Sequence, residues 1–144
     1  MIAYLDTSAL VKLFLAEPGG DIVAAVWDAA HGRTTSATTY PEARSALAAA
    51  VRGRQLTRRQ HVRAVEHLDH LIESIDVVEV RRPLALAAGA LAERFALRGY
   101  DAVHLASAEF VGAGRTVMVT WDRALATAAA GSGFDVIPPP ASGV

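Results

Sequence analysis

The sequence predicts an α/β fold, three-layer α/β/α, folded as a single domain over residues 1–144. Three observations predict it. Runs such as Ile2-Ala3-Tyr4-Leu5 and Thr116-Val117-Met118-Val119-Thr120 are continuous rather than alternating, the pattern of strands buried on both faces. Helical segments separate successive runs, which gives a parallel sheet covered on both sides. The length of 144 residues suits one core, burying roughly 68–70% of the unfolded surface without a disulfide or metal staple.

The elements follow in order. The first strand ends at Asp6-Thr7-Ser8, where Asp6 opens a helix carrying Leu10, Val11, Leu13, Phe14 and Leu15. Glu17-Pro18-Gly19-Gly20 stops it, and Asp21 is placed to cap a second helix with Ile22, Val23, Val26 and Trp27 on its inner face. A second strand is predicted over 33–37. Thr39-Tyr40-Pro41-Glu42 has capping-box spacing and starts a helix toward Gly53. Thr57-Arg58-Arg59-Gln60 is a second capping box, opening a long helix with Val65, Leu68, Ile72 and Ile75 on one stripe. A third strand covers 77–80, then an alanine-rich helix runs from Pro83 to Leu97, closed by Arg98-Gly99. Tyr100-Asp101 begins the next helix, to about Phe110. The fourth strand is 116–120, a helix covers 123–130, the last strand is 135–137, and a frayed tail starts at about 138.

Composition narrows the chemistry. With no cysteine, thiolate nucleophiles, Cys-based zinc sites and disulfides are all excluded. The hydrophobic fraction of 52% is largely alanine, and the longest apolar run, 84–92, falls far short of a membrane span. The chain opens directly onto Ile2 with no basic n-region, so a cytoplasmic location is expected. Net charge is −1, which gives no global argument for nucleic-acid binding. Between Glu42 and Glu66, however, stand Arg44, Arg52, Arg54, Arg58, Arg59 and Arg63 with no acid among them. Such a stretch reads either as a phosphate-contact patch or as a solvated helix pair.

Four acids carry the functional argument. Ligands of open parallel sheets bind beyond the carboxyl ends of strands. Asp6 and Asp122 follow the first and fourth strands, Glu42 lies in the first turn after the second, and Asp101 opens a helix between the third and fourth. Each alone has a structural explanation as a cap or a turn residue. Together they form a cluster that needs a cation to stay ionised, and an all-oxygen set suits Mg²⁺ or Mn²⁺ rather than zinc.

Four segments, Tyr4-Leu5-Asp6-Thr7-Ser8-Ala9-Leu10-Val11, Pro41-Glu42, Leu97-Arg98-Gly99-Tyr100-Asp101-Ala102-Val103-His104-Leu105-Ala106 and Val119-Thr120-Trp121-Asp122, together resemble the PIN-domain family. Within it the resemblance is to the VapC toxins of toxin–antitoxin pairs. It implies a metal-dependent endoribonuclease with a five-stranded parallel sheet in the order 3-2-1-4-5. It further implies that Asp6, Glu42, Asp101 and Asp122 are the catalytic acids, with Asp6 and Asp101 as direct metal ligands. Ser8 and Thr120 match supporting polar residues. A homodimer and a cognate VapB-type antitoxin are implied as partners.

His104, one turn beyond Asp101, is placed either to face the site or to pack as a structural histidine, the second being favoured; His67 and His70, at the i, i+3 spacing of a metal pair, read as solvated. Trp27 and Trp121 read as core or interface residues, and Arg123 as either a phosphate contact or an exposed first-turn residue. Among rival sheet-edge aspartate enzymes, a dehalogenase-type phosphatase needs an acid at position 8, which is Ser8. A receiver domain needs one after the third strand, where Arg81-Arg82-Pro83 stands. No Walker A or G-x-S-x-G sequence is present. A nuclease fold used only for binding, and a nuclease acting on DNA, remain as alternatives.

Overall fold

The computed structural model describes residues 1–140, so the last part of the expected tail, 141–144, lies outside the described residues. Five parallel strands form one sheet in the order β3-β2-β1-β4-β5, with β1 Ile2–Leu5, β2 Gly32–Ser36, β3 Asp76–Val78, β4 Thr116–Val119 and β5 Asp135–Ile137. Helices α1 Thr7–Leu10, α2 Gly20–Ala29, α3 Thr39–Arg52 and α4 Arg58–Ser74 build one flanking layer. Helices α5 Arg82–Phe95, α6 Gly99–Val111 and α7 Arg123–Gly131 build the other. No described helix is long and apolar enough to cross a membrane.

Alternation along the strands divides the core in two. Ala3, Leu5 and Val119 pack toward α1–α4 with Leu10, Val23, Leu47 and Leu68. Tyr4, Met118 and Val136 pack toward α5–α7 with Leu91, Leu105 and Leu125. In the polar strand β2, Thr35 donates to the carbonyl of Leu5 at 2.6 Å and shares a hydrogen bond with Thr39 at 2.7 Å, while the buried hydroxyl of Thr34 has no hydrogen-bond partner among the described residues.

Several local expectations are corrected. The helix after Asp6 begins at once as α1 and tightens into a 3-10 turn over Val11–Leu13. The N-cap of α2 is Gly19, at φ +97, and not Asp21. A Cβ there would stand 2.5 Å from the ring of Trp121, so close approach as well as backbone conformation favours glycine. Ile22 faces outward, leaving Val23 and Val26 buried on that helix. The Thr39–Glu42 capping box does not form, since Thr39 lies inside α3 with its hydroxyl on Thr35. The Thr57–Gln60 box does form, reciprocally. At the end of α5, Ala96 takes the left-handed position expected of Gly99.

Candidate functional site

The sheet order reverses between β1 and β4, and the crevice past their carboxyl ends collects all four acids. Register does the first part. Leu5 pairs with Val119, so the next residues, Asp6 and Thr120, stand side by side. The backbone N–H of Asp6 donates to the carbonyl of Val119 at 3.2 Å.

Asp6 is 3% exposed, and both its oxygens are engaged. Oδ1 accepts from Ser8 Oγ at 2.7 Å and from the N–H of Ala9 at 2.9 Å, which caps α1. Oδ2 accepts from Thr120 Oγ1 at 2.5 Å. Burial raises its pKa despite His104, Thr120, Ser8 and Ala9, so these neighbours do not replace all the solvation its charge has lost. The supporting hydroxyls also brace the fourth acid. Ser8 Oγ accepts from the N–H of Trp121 at 2.9 Å, and Thr120 Oγ1 accepts from the N–H of Asp122 at 3.0 Å.

Asp122 caps α7 through Leu125 N–H at 2.9 Å, as its position predicts. Its other oxygen accepts from Arg98 Nη2 at 3.1 Å, and Arg98 Nε donates to Asp101 Oδ2 at 3.1 Å. Asp101 sits in the first turn of α6 and makes no side-chain cap, so it is not the N-cap of that helix. Glu42, released from the capping box, accepts from His104 Nε2 at 3.0 Å. Burial pushes its pKa up, but the hydrogen bond and charge of His104, with Thr7 and Thr38, outweigh burial and leave it lowered.

Three of the acids are thus joined by short polar links, Asp6 to Asp122 through Thr120 and Asp122 to Asp101 through Arg98, while Glu42 is tied separately to His104. Among the described residues, no three His, Asp or Glu side chains converge to enclose an ion as they lie. Arg98 draws Asp101 and Asp122 to itself, and His104 draws Glu42. The donor set still fits a hard divalent cation. It is all carboxylate, Asp6 has no salt-bridge partner among the described residues, and Arg98, paired with Asp101 and Asp122, marks where positive charge is attracted.

Arg98, Tyr4 and Thr7 are missed by sequence reasoning. Arg98 reads as a helix stop, yet its spacing of three before Asp101 is ion-pair spacing. The other arginines stand apart. Arg44 donates to the hydroxyl of Tyr40, which donates to Asp69. Arg52, Arg54, Arg58 and Arg59 are exposed around the α3–α4 turn, roughly 15 Å along α3 from Glu42 at 1.5 Å per residue. Arg123 is exposed at the start of α7, beside Asp122. His67 and His70 line an open groove of about 380 Å³ with Trp27 and Asp28, away from the acids.

Comparison with known proteins agrees with this architecture. The family model described as PIN domain matches residues 3–131. Ribonuclease VapC49 of Mycobacterium tuberculosis strain H37Rv is 41% identical over 137 residues, covering 95% of each chain. Among solved structures, PAE2754 from Pyrobaculum aerophilum superposes with a TM-score of 0.68 at 27% identity, covering 95% of this chain and 90% of that one. A toxin–antitoxin complex from Klebsiella pneumoniae shares the fold, with a TM-score of 0.59 at 19% identity over 83% of this chain and 86% of that one.

Proposed function

The chain belongs to the PIN-domain family as a VapC-type ribonuclease, and on that premise we propose that it is the magnesium-dependent endoribonuclease toxin of a VapBC-type pair, working as one cytoplasmic nuclease domain with Asp6, Glu42, Asp101 and Asp122 as its site. The observation that carries the reading is the linked set of Asp6, Asp122 and Asp101 at the reversal point of the sheet, with Asp6 buried and Glu42 held nearby by His104.

Asp6 and Asp101 would hold Mg²⁺ (or Mn²⁺ in its place), with Glu42 and Asp122 completing or supporting that shell. When bound, the ion supplies the positive charge that acidifies water and offsets charge developing on the phosphodiester. The protein's part is preorganisation. Ser8, Ala9 and Thr120 fix both oxygens of Asp6 so that little reorientation is needed at the moment of reaction. Water attacks phosphorus in line, the bond to the 3′ oxygen breaks, and the products carry a 5′-phosphate and a 3′-hydroxyl. Arg44, Arg52, Arg54, Arg58, Arg59 and Arg123 are assigned to the RNA backbone, where they position substrate without reading its sequence.

A VapB-type antitoxin is the proposed partner, on the strength of the family relationship. A homodimer is supported by an open, mainly apolar groove of about 890 Å³ lined by residues that include Leu84, Ala87, Val111 and the largely exposed Phe110. The test is cleavage of end-labelled total RNA by purified, antitoxin-free protein. Discrete products with Mg²⁺, lost with EDTA and in Asp6→Asn, are expected. Cleavage that survives both treatments would overturn the site.

A further inference from the structure

Beneath the four acids lies a second layer of buried polar groups. Tyr4 is fully buried, and its hydroxyl stands 2.8 Å from Nδ1 of His104, the two rings meeting edge-on. His104 is 2% exposed, and its Nε2 lies 3.0 Å from Oε1 of Glu42. Thr7 Oγ1 is 3.4 Å from the same nitrogen. An ionised carboxylate only accepts, so Nε2 carries the proton in the bond to Glu42, and Tyr4 fixes the ring from behind.

The layer follows from chain periodicity. Tyr4 lies on β1 two residues before Asp6, and His104 lies on α6 three residues after Asp101, so chain periodicity brings both supporting residues close below the acids. Glu42 needs such support. Its side chain is 26% exposed and, although it lies in the first turn of α3, it makes no capping-box bond there, so capping does not orient it.

We infer that His104, clamped by Tyr4, is a positioning residue that aims Glu42 into the acid cluster. What the aimed carboxylate is for rests on the nuclease reading, but the Nε2–H bond to Glu42 does not. Any buried histidine needs partners for its ring nitrogens, but here one of the two is a carboxylate of the acid set, held at 3.0 Å, and the other is a fully buried tyrosine hydroxyl that fixes the ring plane. The ring joins β1, α3 and α6 at the base of the crevice.

Two measurements on the full-length protein test it. Long-range ¹H–¹⁵N spectra of the histidine rings at pH 8, without metal, should show His104 protonated at Nε2. An unprotonated Nε2 would overturn the inference whatever the metal does. Mn²⁺ binding, followed by electron paramagnetic resonance on variants shown to be folded, should weaken about 10- to 100-fold in His104→Leu, the range for lost support of a ligand, and stay within about threefold in His104→Gln, whose amide can still donate. In a Glu42→Gln background His104→Leu should add nothing further, since the two act through one carboxylate. Equal Mn²⁺ binding by the native protein and His104→Leu would reduce His104 to a packing group and overturn the inference. Failure of the native protein itself to bind Mn²⁺ would instead overturn the nuclease reading, with the ring spectrum still deciding the bond to Glu42.

Discussion

Thr120→Val isolates one hydroxyl at the centre of the site. Thr120 is 1% exposed; it donates to Asp6 Oδ2 at 2.5 Å and accepts from the N–H of Asp122 at 3.0 Å. Valine fills nearly the same space but does neither. Losing a buried hydrogen bond to a charged group costs about 1.5–3 kcal/mol, and leaving the Asp122 N–H without a partner adds about 1 kcal/mol. The expected loss is therefore about 3 kcal/mol, which at ~4 °C per kcal/mol for a chain of this size lowers Tm by about 10 °C. Urea unfolding in EDTA measures it, with Thr120→Ser as the control that keeps the hydroxyl and loses only about 0.8 kcal/mol of buried methyl. Cleavage should fall in the valine variant as well, because Asp6 is then held through Oδ1 alone. A loss below about 1 kcal/mol for valine, or equal losses for valine and serine, would refute the hydrogen-bond reasoning.

Three further outcomes are expected. Arg98→Gln should leave the unfolding midpoint unchanged, since the side chain is 78% exposed, yet lower the Mg²⁺ concentration needed for half-maximal cleavage several-fold by removing a competing cation from Asp101 and Asp122; an unchanged or higher requirement would count against this. Burial raises the Asp6 pKa above its ordinary 3.8, so between that value and its folded pKa the native state binds more protons and this group's contribution to stability falls as pH rises. Glu42, held below its ordinary 4.5, runs the other way, its stabilisation present above that value and lost as pH falls through its folded pKa. In EDTA the stability of Asp6→Asn relative to the native protein should therefore grow as pH climbs above 3.8, and a pH-independent difference would contradict it. Gly19→Ala forces a Cβ to within 2.5 Å of Trp121 at a φ of +97, so it should cost at least about 1 kcal/mol and shift tryptophan emission; native-like stability and emission would show that the Trp121 contact is not maintained.

Much of this molecule was legible in its residues. Continuous apolar runs at Ile2–Leu5 and Thr116–Val119 marked buried strands, because a strand covered on both faces has no polar side to show. Asp6 and Asp122 were legible because an acid just past a strand end and immediately before a helix is placed to cap that helix, and both do. The order 3-2-1-4-5 came from resemblance, and the pairing register bears it out.

Tertiary packing decided what local rules could not. The spacing of Thr39 and Glu42 satisfies a capping box, yet Thr39 turned inward to Thr35, where burial makes an unpaired hydroxyl costly, and Glu42 was freed for His104. Arg98 looked like the end of one helix and became the bridge between two acids 21 residues apart, a contact that exists only once α6 and the end of β4 are adjacent. Tyr4 and His104 are 100 positions apart, so no local pattern announces their bond. Sequence by itself determined which segments are strands or helices and which acids follow them, because those depend on periodicity and neighbours in the chain. The partners of each acid, and so its aim, were decided by the fold, as were the pKa shifts of Asp6 and Glu42, because hydrogen bonding and desolvation depend on what packing brings within about 3 Å.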